Sequence, residues 1–201
     1  MNWRFGMNRN LNTWNFVLSI CLVALLVQDV NAEEAKTKKV KLQDIQLEVP
    51  VSWKQQQPTS RLRAGQFQLP AVASDKDGAE LVVYFFGGAG GGVNANLQRW
   101  IGQFAAQGRK VKITSGKSAQ GPYYLAEVTG TYNKPIGPPI RQQTKATPGS
   151  RMVAVILMVK GKGNYFLKLT GPDKTVAAAT DPLREGFGGD KKAEKAYTLE
   201  K

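Results

Sequence analysis

The chain has no histidine and one cysteine, Cys21, in 201 residues. Without an imidazole there is no Ser-His-Asp triad, no histidine proton relay and no histidine-ligated metal. A single thiol excludes an intrachain disulfide and a cysteine-based zinc site. Acidic side chains are also scarce: 15 Asp and Glu stand against 28 Lys and Arg, a formal net charge of +13. What is present is apolar enough to fold, with 42% hydrophobic residues, and the chain is no disordered polyelectrolyte.

The apolar run at positions 16–27 follows Arg4 and Arg9 and precedes Val30-Asn31-Ala32. It falls short of the about 20 residues of a membrane-spanning helix. Charge, short apolar run and small residues make a secretory signal, with cleavage after Ala32; kept uncleaved, it would be an N-terminal anchor. Cys21 lies inside the apolar run instead of after it, so lipidation is not expected. The chain is therefore expected to be exported, periplasmic or extracellular after cleavage. Its mature part has no cysteine, so stability must come from a buried core, and one domain of this length can build one.

Residues 33–41, with Lys36, Lys38, Lys39 and Lys41, read as a basic tether. Ile45, Leu47 and Val49 alternate with polar residues, the period of a half-buried strand, and Pro50 ends it. A short strand at 66–69 stops at Pro70, and 81–86 reads as a strand buried on both faces. Leu97, Trp100, Ile101 and Phe104 share one face of a helix that Asn94 or Asn96 could cap and Gly108 stop. Residues 109–115 read as an outer strand with lysines on its wet side, and 123–132 as a long strand. The four prolines and two glycines of 133–150 predict an irregular connection. A strong strand at 152–159 turns at Gly161-Lys162-Gly163-Asn164 and returns through Tyr165, Leu167 and Leu169. Asp173 opens a helix to about Phe187 that Pro182 should kink or restart, with Asp181 as second cap. Residues 189–201 read as a disordered charged tail. One domain, 42–188, results: an α+β fold with a mostly antiparallel sheet flanked by helices, an α/β/α sandwich covered by two helices and the long loop.

Pro50-Val51-Ser52-Trp53 after the first strand, Arg61-Leu62-Arg63 before the strand at Phe67, and a third strand leading to a helix form a pattern. It closes with Gly163-Asn164-Tyr165-Phe166, Gly171-Pro172 and a final helix. Over about 42–188 this resembles the Mog1/PsbP-like superfamily of α/β sandwiches, as an exported bacterial member. The resemblance implies a non-enzymatic binding or assembly role, because members serve as extrinsic subunits of photosynthetic complexes and one binds a small GTPase. No metal-binding histidine of that group has a counterpart in this chain, an exported protein would not meet that GTPase, and no functional residue is carried over.

The glycines at 87–92 follow a strand and precede a helix, the setting of a phosphate loop. The ribose-binding acid expected about 20 residues on is missing, as is the Lys-Ser/Thr of a P-loop. They read as a flexible connection, or as a cradle for some other anion. Glu80 and Glu127 read as surface carboxylates, and Asp75 and Asp77 with Gly78 as a turn. Ser115-Gly116-Lys117 and Ser60-Arg61 lack the Ser-x-x-Lys spacing of a His-free hydrolase. No catalytic or metal-ligating residue and no cofactor is assigned. Trp100 reads as core, and Trp53 is a candidate ligand platform. The candidate binding residues are Arg61, Arg63, Arg141, Lys145, Arg151 and Trp53, basic loops that would attract an anionic partner. That partner is an unknown protein or an anionic envelope polymer. Nucleic acid is not expected, and contact with a membrane would come only through the signal or peripheral charge. The alternatives are a small-molecule carrier and an enzyme working through carboxylate or lysine.

Overall fold

The computed structural model describes residues 1–2, 36–72, 74–88, 90–137, 139–141 and 143–199. The expected signal, with Cys21 and its cleavage site, lies outside the described residues but for the first two. The chain divides into two compact units, Met1–Glu34 and Ala35–Lys201, and every element below belongs to the second.

Two strands, β1 (Thr37–Leu42) and β2 (Ile45–Pro50), pair as an antiparallel hairpin of their own. In β2 the alternation is obeyed: Ile45, Leu47 and Val49 are buried, Gln46 and Glu48 exposed. β1 corrects the expected tether. Lys39 and Lys41 alternate with Val40 and a buried Leu42, so the segment has an inner side as well as a charged one. Then come β3 (Lys54–Gln55), β4 (Arg63–Leu69), β5 (Ala79–Phe85) and helix α1 (Val93–Ile101). Strands β6 (Lys110–Ser118), β7 (Gly121–Pro135), β8 (Thr144–Val159) and β9 (Gly163–Pro172) follow. Helix α2 (Asp173–Gly186) and β10 (Lys195–Ala196) close the order. Eight strands form one sheet, β10-β6-β7-β8-β9-β5-β4-β3, with every neighbouring pair antiparallel.

The fold is α+β, a mostly antiparallel sheet with a helix on each face. On one face α2 and the β1–β2 hairpin bury Phe67, Leu81, Val83, Leu125, Val155, Leu167, Leu183 and Phe187 in one cluster. Gly186 permits the closeness of this layer, since a Cβ there would lie 2.4 Å from the Glu48 carbonyl oxygen. The other face packs Leu97, Trp100 and Phe104 against Ala126, Val128, Met152, Ala154, Ile156 and Phe166. The hairpin thus supplies the cover that the sequence assigned to the long loop.

That loop is corrected too. Residues 133–150 are mostly the far ends of β7 and β8, joined by a 3-10 turn at Pro139–Arg141. The described prolines are accommodated because none of them has to donate within a regular ladder. Pro148 and Gly149 fall in a bulge between the pairs Gly130–Ser150 and Tyr132–Thr147, where Gly149 takes a φ of +66°. Helix α1 is shorter than expected. It is preceded by Gly92 without a side-chain cap, and ends at Gly102. The side chain of Asn96 donates instead to the Gly90 and Gly92 carbonyls, tying the glycine run to the helix. Pro182 lies inside one α2, and Asp181 bonds Arg184 and Lys191 where a second cap was expected.

The tail is ordered up to Leu199. A 3-10 turn (Lys191–Ala193) leads into β10, which pairs Lys195 and Ala196 with Ser115 and Thr114 on β6. Glu194 reaches inward with its side chain only 5% exposed. Local composition hid this, because the partners of Glu194 lie ten to eighty residues away.

Candidate functional site

The six candidate residues occupy four separate places. Trp53 is 4% exposed in the α2-side core and presents no platform. It follows Pro50 into a turn whose Trp53 amide donates to the Pro50 carbonyl. Arg63 lies at one end of the sheet, opposite Tyr84, and exposed Arg61 stands beside it. Arg151 is on the α2 face, where its guanidinium bonds Glu127 (3.2 Å) and Asp173 (2.9 Å). Arg141 and Lys145 lie at the opposite end from Arg63. Strand register shows this: Arg63 is level with Tyr84, Phe166, Ile156 and Tyr124, whereas β7 and β8 run on past Gly130 and Ser150.

Beyond that point β7 and β8 pair with each other out to Pro135–Thr144 and form an arm. Its base is steadied by residues 103–105, through the Phe104–Tyr132 bridge and a hydrogen bond from the Asn133 amide to the Gln103 carbonyl. From 134 to 145 the arm carries Lys134, Arg141 and Lys145 and no acidic residue. Ile140 at its turn is 91% exposed and Ile136 43% exposed. An isolated exposed isoleucine is ordinary, but two of them on a segment whose charges are all cationic form a surface suited to contact.

Glu80 and Glu127 lie on opposite faces of the sheet. Glu80 shares its face with Gln66, which donates to it at 2.8 Å, and with Arg63 at 3.6 Å. Glu127 meets Arg151 and, at 3.5 Å, Arg184 on the α2 face. They cannot act as an acid and base on one substrate. Asp75 accepts from the amide and hydroxyl of Thr175 and so caps the first turn of α2.

The α2 side holds a buried ionic network. Arg184, 2% exposed, donates to Glu194 at 2.6 Å and pairs with Asp181. Glu194 also accepts from the Tyr123 hydroxyl (3.0 Å) and the Thr114 hydroxyl (2.8 Å). Burial, then the Glu194 carboxylate, push the Tyr123 phenol up to about 12. Every charge has a partner, so the network fastens the tail and offers no open valence for chemistry.

The α1 side differs. α1 covers only part of its face, and beside it a cleft of about 170 Å³ is lined by Tyr84, Phe86, Arg99, Trp100, Gln103, Phe166 and Lys168. The Lys168 ammonium donates to Gln103 Oε1 (2.6 Å) and to the Tyr132 hydroxyl (3.1 Å). Burial lowers its pKa to about 8, against the pull of Glu80 and with help from Arg99. Sequence reasoning passed over Lys168. Its signal was parity: the strand that puts Tyr165, Leu167 and Leu169 in one core puts Lys168 on the other covered face.

Among the described residues, no helix is long and apolar enough to cross a membrane, and no three His, Cys, Asp or Glu residues group as metal ligands. No family model and no curated protein matches the chain. The solved structures similar to it include these three. Cyanobacterial PsbP (CyanoP) from Synechocystis sp. PCC 6803 has 13% identity, a TM-score of 0.47, and covers 81% of this chain and 94% of its own. The Ran-binding protein Mog1p of Saccharomyces cerevisiae has 10% identity, a TM-score of 0.44, and corresponding shares of 79% and 94%. PA94 of Pseudomonas aeruginosa, a protein of unknown function and putative regulator, has 15% identity, a TM-score of 0.40, and shares of 74% and 92%. At 10–15% identity the likeness concerns the fold and no residue's role.

Proposed function

We propose that this chain is an exported, non-enzymatic binding domain that holds an anionic partner through the β7–β8 arm. The observation that carries the reading is the arm itself. It projects past its neighbouring strands and carries Lys134, Arg141, Lys145 and exposed Ile140 with no acidic residue between positions 134 and 145. Of the candidate residues, Arg141 and Lys145 stay in this role. Arg63 and Arg151 are engaged by Glu80, Glu127 and Asp173, and Trp53 is core. The partner is an acidic protein surface or an anionic envelope polymer, which long-range attraction would steer to the arm. A non-enzymatic role is favoured because Glu80 and Glu127 face apart and the buried ion pairs are closed on one another.

The test is capture of envelope components by the full chain at low and high salt, beside a Lys134→Glu/Arg141→Glu/Lys145→Glu variant. Capture should fall with added salt and be lost in the variant. Equal capture in all arms would overturn the reading.

A further inference from the structure

Apart from the arm, the cleft beside α1 has the make-up of a small-ligand site. Its lining includes two cations, Arg99 and Lys168, and no carboxylate. Gln103, the one side-chain amide in the lining, already serves as acceptor for Lys168. A lysine sunk into a covered sheet face is costly unless something answers its charge. Glu80 does so only from a distance: it is absent from the lining, and it bonds Gln66 and pairs with Arg63. Lys168 makes two of the three hydrogen bonds an ammonium can donate. Arg99 is oriented from behind by Asn96, which is 2% exposed and itself fixed to the glycine run. The two cations are therefore pre-positioned.

The rest of the lining is aromatic. Phe86, 44% exposed, stacks on Tyr84 with ring centroids 6.0 Å apart and tilts against Phe166 at 5.4 Å. Trp100 meets Phe166 edge-on at 6.0 Å. Such walls favour a flat apolar body. Drug-sized pockets measure about 300–1,000 Å³, and at about 170 Å³ this cleft suits a single ring, too small for a nucleotide.

We propose that the cleft binds a small organic anion, a carboxylate carried on one flat ring, with Lys168 and Arg99 on the carboxylate and Phe86 and Tyr84 on the ring. The idea is independent of the arm and survives its failure. Full chain is titrated with benzoate, benzyl alcohol and acetate, following the Trp100 indole N–H by NMR, assigned through Trp100→Phe. Benzoate should shift that resonance saturably. Benzyl alcohol and acetate should bind at least about tenfold more weakly, the first for want of a charge-assisted hydrogen bond, which contributes about 1.5–3 kcal/mol, and the second for want of the ring. Lys168→Met and Arg99→Gln should each weaken benzoate about tenfold, while the arm variant should bind it like the parent.

A pH series adds a readout that a purely structural lysine would not move. The groups facing Lys168 are Glu80 and Tyr84 on β5, Arg99 on α1, Gln103 and Tyr132. Lys168 loses its charge near pH 8. Benzoate affinity should fall as pH rises through that value and stay level in Lys168→Arg. No saturable shift, equal affinity for benzyl alcohol or acetate, or an unaltered Arg99→Gln variant would each overturn the proposal.

Discussion

The two faces of the sheet are built to different ends. The α2 face is sealed by a helix and a strand hairpin, and the charges it buries are all neutralised within the protein. The α1 face is covered by a nine-residue helix, and next to it a half-buried lysine meets only neutral acceptors at hydrogen-bonding distance. Stability is concentrated where burial is complete, and binding capacity where it is interrupted. One sheet can serve both because side chains alternate, so successive residues of β9 belong to different layers.

The sharpest way to break the comparison is to unbalance the sealed face. Arg184→Ala leaves Glu194 buried without its cation and should cost about 3–5 kcal/mol, read as a lower denaturation midpoint. The same variant should speed hydrogen exchange in β10, which no ordinary core truncation would do selectively. Leu183→Ala, fully buried on the same helix, should cost about 3 kcal/mol by cavity formation and leave the tail paired.

The pH dependence sharpens the contrast from the other side. Lys168 is held at about 8 in the fold and returns to about 10.4 when unfolded. Between those values the unfolded chain binds the extra proton, so stability should rise with pH. Tyr132, pushed up to about 12 mainly by burial, has the opposite sign. Unfolded tyrosine ionises near about 10, so its contribution is lost as pH climbs from there toward 12. Urea titrations across this range should show the rise and then the decline, and Lys168→Met should abolish only the rise. The smallest effect belongs to the open face. Phe86→Ala should change stability by about 1 kcal/mol or less while reducing benzoate binding.

The strands were legible wherever burial imposed a period. Ile45, Leu47 and Val49, the run at Val82 and Val83, and the return through Tyr165, Leu167 and Leu169 all follow from alternation or from apolar continuity. What composition could not reveal was pairing at a distance. The prolines of 133–150 read as an irregular connection, yet a bulge at Pro148 and a turn from Pro139 to Arg141 belong to a paired arm. Lysines at 36–41 and 191–195 read as solvated ends. Val40 packs on the core and Glu194 finds Arg184, and neither contact has a local signature. The candidate site fared likewise: basic residues were identified as types, but only the register shows Arg63 and Lys145 at opposite ends of the sheet.

The clasp at Glu194 also bears on how the molecule is made. While residues beyond Gly189 are still inside the ribosome, the guanidinium of Arg184 has no carboxylate from that segment to receive it, and β6 lacks its outer partner. Until that stretch emerges, Arg184 is answered by Asp181 and Glu127 alone and the β6 edge of the sheet stays open.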